Sequence, residues 1–101
     1  MTWRVHIDPE AEEQLVAAYQ WWIVNRVDSW DLLHDEFEDA TSLLATSPKI
    51  GGPYPHAGVP GLRRLLLSAT RYHVYYSQDE ASKTVFILAV WSAARGRLPP
   101  L

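Results

Sequence analysis

Three short apolar runs in the second half of the chain set what it can fold into: Leu62 to Ser68, Tyr72 to Gln78 and Thr84 to Trp91. Ala69-Thr70-Arg71 parts the first pair and the polar stretch Asp79 to Lys83 parts the second. β-Branched and aromatic side chains fill the second and third runs, and both breaks are short enough for hairpins, which predicts a three-stranded antiparallel meander. The rest of the chain is expected to cover one face of that sheet. What the other face presents decides function.

Upstream, Thr2 to Ile7 alternates, with Trp3, Val5 and Ile7 on one side and Arg4 and His6 on the other, the pattern of a half-buried strand. It stops at Asp8-Pro9, an N-cap followed by a residue suited to the first helical position. Glu10, Glu12 and Glu13 then fall in the first turn, where the helix dipole favours negative charge. Ala11, Leu15, Ala18 and Trp22 recur on one stripe, which Val16, Tyr19 and Ile23 are expected to widen. A second helix is predicted from Asp28 or Ser29 to about Thr46, with Trp30, Leu33, Phe37, Ala40 and Leu44 inside and Asp31, Asp35, Glu36, Glu38 and Asp39 mostly outside. The short break between them predicts an antiparallel helical hairpin.

The segment Ser47 to Gly61 holds four of the seven prolines and four of the five glycines, so no regular structure is expected in it. So long a loop in a small domain is expected to contact a partner or to be weakly ordered. After the meander come Arg95-Gly96-Arg97 and a terminal Leu98-Pro99-Pro100-Leu101, whose prolines forbid a closing helix. The order β-α-α-β-β-β, a helical hairpin packed on one face of a small sheet, defines an α+β two-layer domain spanning residues 1–101.

Composition narrows the function. Without cysteine there are no disulfides and no thiolate chemistry, and no apolar stretch approaches the ~20 residues that cross a bilayer, so a cytoplasmic protein without a membrane partner is expected. The two halves differ in charge: residues 1–50 carry three basic against ten acidic side chains, net −7, and residues 51–101 carry six against two, net +4. Such asymmetry marks either a basic surface kept for an anionic partner or charges that neutralise each other where helices meet sheet. His6, His34, His56 and His73 lack paired ligand spacing, and His34 with Glu38 reads as a solvated helical couple. No metal or other cofactor is expected. There is neither a phosphate-cradling glycine loop nor a nucleophile elbow.

What remains is a basic and aromatic set on the meander and its tail: Arg63, Arg64, Arg71, His73, Tyr75, Tyr76, Trp91, Arg95 and Arg97. Alternation places Arg64 opposite in facing to Arg63, and His73 and Tyr75 opposite to Tyr72, Val74 and Tyr76. If the second group meets the helices, His73 and Tyr75 look outward. Such a face can hold an anion or an RNA backbone. Metal-free RNA cleavage would need a base, an acid and cations for the developing charge, roles open to His73, Tyr75, Arg64 and Arg95; packing and solvation are the competing reading of the same residues.

The order of elements resembles the RelE/ParE superfamily, the toxins of bacterial type II toxin–antitoxin modules. So do the Pro-Gly loop running into Gly61-Leu62-Arg63-Arg64, the strand Tyr72-His73-Val74-Tyr75-Tyr76, and the closing Ile87 to Trp91 followed by Arg95-Gly96-Arg97. The resemblance spans about residues 3–97. It implies a growth-inhibiting protein held inactive by a cognate antitoxin, an acidic segment that folds as it binds, with Arg63, Arg64, Arg71, Trp91, Arg95 and Arg97 as the partner-binding set. A homodimer or a toxin–antitoxin hetero-oligomer accords with it.

Within the superfamily, RelE-like members cut mRNA on the ribosome with a basic cluster that commonly includes an Arg after the tyrosine of the middle meander strand. Here His73 takes that position, Leu66 stands where a lysine would be expected, and the tail has no Tyr. Other nuclease members place a His near the end of the last strand, where this chain reads Trp91-Ser92-Ala93-Ala94. The resemblance therefore favours the ParE branch, which poisons DNA gyrase by binding. A ribosome-dependent mRNA endonuclease and an inactive member retaining only antitoxin binding are the alternatives.

Overall fold

The structure, a computed structural model, describes residues 2–101. Strand β1 (Arg4–Ile7) leads into helix α1 (Pro9–Asn25), a short 3-10 turn (Val27–Ser29) and helix α2 (Leu32–Thr46). Strands β2 (Gly52–Pro53), β3 (Arg63–Leu67), β4 (Tyr72–Asp79) and β5 (Thr84–Ser92) follow. The five strands form one sheet in the order β1-β5-β4-β3-β2, parallel between β1 and β5 and antiparallel elsewhere. No helix among the described residues is long and apolar enough to cross a membrane.

The helix starts follow from local chemistry. Asp8 is extended at the α1 N-cap, though its carboxylate makes no capping hydrogen bond; Pro9 occupies the first helical position, and the Asp8 carbonyl accepts the Glu12 N–H at 2.9 Å. α2 begins later than the periodicity implies, because Asp28 and Ser29 are drawn into the 3-10 turn. That turn shifts the phase before Leu33. Trp30, expected inside, is therefore 55% exposed. Val16 and Ile23 are also exposed: α1 packs chiefly on β5 while α2 rests on β1 and β3, so the flanks of α1 stay uncovered.

The main core lies between helices and sheet. Leu15, Ala18 and Trp22 of α1 and Leu33, Phe37 and Leu44 of α2 meet Leu67, Val74, Tyr76, Val85, Ile87 and Val90. Glu36, expected on the outside of α2, reaches instead to the β3–β4 turn. Its carboxylate accepts the backbone N–H of Ala69 at 2.7 Å and of Thr70 at 3.0 Å, and the Thr70 hydroxyl at 2.6 Å. Arg71 closes that turn in the left-handed region, with φ 65°.

Two features depart from the expected single-faced ribbon. First, the Pro-Gly segment is partly regular: β2 pairs with Arg63 and Arg64, and the Gly51 N–H donates to the buried Tyr76 hydroxyl at 2.8 Å. Secondly, the sheet carries a smaller second core on the face turned from the helices. Leu62, Tyr75, Ala89 and Trp91 are buried there beneath Tyr54 and Val59 of the loop and Leu101 of the tail. A bulge opposite Tyr75 and Tyr76 helps to build it, since the extra residue, Leu88, joins Ala89 on that face.

A cationic and aromatic strip on the outer face

Cross-strand register decides which side chains share the outer face. Arg64 lies opposite Tyr75, and His73 lies opposite Leu66 on one side and Trp91 on the other. The Arg64 guanidinium sits 4.7 Å from the centre of the Tyr54 ring, and Tyr54 meets Tyr75 edge-on at 5.4 Å. Tyr75 in turn meets His73 at 6.0 Å. Beyond His73, Arg95 covers Trp91 at 4.1 Å and Arg97 approaches the same ring at 5.5 Å. The Trp91 indole N–H donates to the Arg97 carbonyl at 2.9 Å, which folds the tail back onto β5. The result is one continuous strip with a guanidinium at each end.

The sequence-predicted residues divide on this map. Arg64, His73, Trp91, Arg95 and Arg97 come together on the outer strip. Arg63 points the other way and is held at the sheet edge, its guanidinium donating to the carbonyls of Gly51 at 2.7 Å and Lys49 at 3.2 Å. Tyr75 does face away from the helices, but it is 2% exposed, so the outward-looking phenol expected from alternation is instead a core residue. The reason is the loop and tail, whose return over the sheet no period-two pattern encodes. Arg71 stands exposed at the β3–β4 turn. Sequence reading missed Tyr54, although its place between Pro53 and Pro55, which restrict the backbone to extended forms, was a usable signal.

Charge is distributed unevenly around the strip. Among the described residues both lysines pair with Glu80, at 3.5 Å and 3.4 Å, and no arginine pairs with a carboxylate. Of the two explanations for the charge asymmetry, mutual neutralisation therefore fails for the arginines. The guanidiniums of Arg26, Arg64, Arg95 and Arg97 rest on aromatic rings and that of Arg63 on backbone carbonyls, contacts that orient a cation without cancelling it. His73 is pushed below the ordinary histidine value of 6.5 by its partial burial first, and then by the charges of Arg64 and Arg71. Its imidazole is consequently neutral near pH 7 and becomes easier to protonate when an anion settles beside it. His34, by contrast, lies 3.7 Å from Glu38 with both side chains more than half exposed, as a solvated pair.

The model of the family described as the ParE toxin of type II toxin–antitoxin system, parDE, matches residues 5–96. No curated protein sequence matches the chain. A solved chain of the toxin–antitoxin complex RelBE2 from Mycobacterium tuberculosis is similar over 91% of this chain and 99% of its own length, with a TM-score of 0.67 and 20% identity. A chain of the chromosomal ParDE system from P. aeruginosa is similar over 90% and 96%, with a TM-score of 0.69 and 17% identity. A chain of the intact E. coli RelBE complex is similar over 92% and 99%, with a TM-score of 0.61 and 18% identity. At these identities the solved structures share the fold.

Proposed function

The chain belongs to the ParE toxin family of type II toxin–antitoxin systems, and we propose that this toxin arrests growth by binding its target, DNA gyrase, and is silenced by an acidic antitoxin on the outer strip. The observation that carries this reading is the set of oriented, unneutralised arginines: Arg64 on Tyr54 and Arg95 on Trp91, with no carboxylate partner among the described residues. A carboxylate-rich segment laid along the strip would meet guanidiniums whose orientation is already fixed, so little side-chain entropy is lost on binding. His73, between them, would become easier to protonate as the anion arrives.

The same geometry speaks against RNA cleavage. Tyr75, the acid of the nuclease alternative, is sealed beneath Tyr54, Val59 and Leu101. Arg64 on β3 and Arg95 beyond β5 are separated by β4, roughly 10 Å across the sheet at the usual strand spacing. The two guanidiniums rest on different rings, Tyr54 and Trp91, and do not converge on one phosphate in this arrangement.

Two measurements test the proposal. Expression of the toxin alone should arrest growth with transcripts intact, and the purified protein at micromolar concentration should inhibit supercoiling by purified gyrase. Transcripts cut within translated codons, with His73→Ala relieving arrest, would establish the nuclease alternative instead. Unimpaired growth would identify an inactive member.

A further inference from the structure

A cleft of about 660 Å³ opens between α1 and the far end of the sheet, separate from the outer strip but touching it at Arg95. Its walls include Trp21 and Trp22 of α1 and Tyr72 of β4, and its cations are Arg26, Arg71 and Arg95. Trp22 is 7% exposed, yet its indole N–H finds no acceptor in the folded chain. That N–H is itself enclosed, so Trp22 serves the cleft as an apolar wall. Arg26 lies over both indoles, at 5.1 Å and 6.0 Å, which holds its charge at the mouth.

The cleft is short of acceptors of its own. The Gln14 side-chain carbonyl already takes the Val90 N–H at 2.9 Å, and Glu36 is spent on the neighbouring turn. Three cations around an aromatic wall suit a ligand that joins a carboxylate to an apolar side chain. A long polyanion suits it less well, because the flanking half of the chain carries net −7 and would repel successive phosphates.

We infer that this cleft receives an acidic and apolar pair of side chains from the antitoxin, the end of a segment that lies along the outer strip and turns around β5 at Arg95. The inference rests on the toxin–antitoxin reading and adds to it a second anchor point. The segment's apolar side chain packs on Trp21 and Tyr72, and its carboxylate meets Arg26 and Arg71.

The test uses the toxin and its cognate antitoxin, with binding measured for the wild type, for Arg26→Gln with Arg71→Asn, and for Arg64→Gln. Asn tolerates the left-handed backbone at position 71, and both replaced arginines are exposed, so circular dichroism should report an unchanged fold. The double variant should bind about tenfold or more weakly, as expected when two charge-assisted contacts are lost. In the wild-type complex the indole N–H resonance of Trp21, which is exposed on the cleft wall, should shift. Unchanged affinity of the double variant with weakened Arg64→Gln would overturn the cleft and leave the toxin reading standing. No binding by the wild type would remove both. A single-stranded RNA oligonucleotide that shifts the same indole resonance, with the same dependence on Arg26 and Arg71, would assign the cleft to nucleic acid and overturn the inference.

Discussion

Glu36 is a single side chain on which a turn depends, since one carboxylate takes three donors from Ala69 and Thr70. Hydrogen bonds to a charged acceptor are worth more than neutral ones, and Thr70 is nearly buried, so its freed N–H would lack water as a substitute. Glu36→Ala should therefore lower stability by about 2–3 kcal/mol in urea denaturation, with Glu36→Gln in between. A loss indistinguishable from a surface substitution would mean that the clamp contributes nothing. His73 gives a pH-dependent expectation. Its pKa is lower in the folded chain than the 6.5 of an ordinary histidine, so below that value the unfolded chain binds the proton first. Stability should fall as the pH drops from about 7 to about 5, and His73→Gln should flatten that part of the curve. Period-two alternation made the outward facing of His73 legible and put Arg63 and Arg64 on opposite faces, without deciding which of the two faces out. It could not reveal that Tyr75, on the same side, is roofed over, because the roof comes from Tyr54, Val59 and Leu101, far away in sequence.

At the scale of elements, the Pro-Gly segment acts as a strap. Gly51 passes so close to the sheet that a Cβ there would stand 2.8 Å from the Tyr76 ring and hydroxyl and 2.9 Å from the Arg64 carbonyl. Gly52, its neighbour, has nothing within 4 Å of the same added atom. Gly51→Ala should therefore cost about 1–3 kcal/mol and loosen the roof over Tyr75, whereas Gly52→Ala should be near neutral. Chemical denaturation compares the two, and faster proteolysis within residues 53–60 of the Gly51 variant would locate the loosening. Equal effects at both positions would show that the close approach is not what fixes the strap. The meander, both helices and the first strand were legible because each is bounded by its own turn chemistry and carries its own period. β2 and the 3-10 turn were not, since a two-residue strand has no period and the turn's effect is to break one. The bulge at Leu88 was equally silent. It becomes visible only when β4 and β5 are laid side by side and two consecutive residues are found on one face.

For the whole molecule the governing fact is that its opposite charges are separated and not cancelled. The half that bears the strip has net +4, the half that builds the helices has net −7, and no arginine–carboxylate pair joins them among the described residues. If the arginines are kept for a partner, salt should act on the complex and hardly at all on the free chain. Raising ionic strength from 0.1 M to 1 M shortens the screening length from about 10 Å to about 3 Å, which removes long-range attraction between an acidic segment and the strip. Association with the antitoxin should then slow by an order of magnitude or more, while dissociation, governed by aromatic and apolar contacts, changes little. The free toxin should keep its Tm or gain slightly, because screening relieves repulsion among Arg64, Arg71, Arg95 and Arg97 without breaking internal pairs. Stopped-flow binding and thermal melts over one salt series separate the possibilities. A free-chain Tm that falls with salt would mean that the arginines are neutralised internally, and a salt-independent association rate would mean that the partner reads the aromatic rings and not the charges stacked upon them.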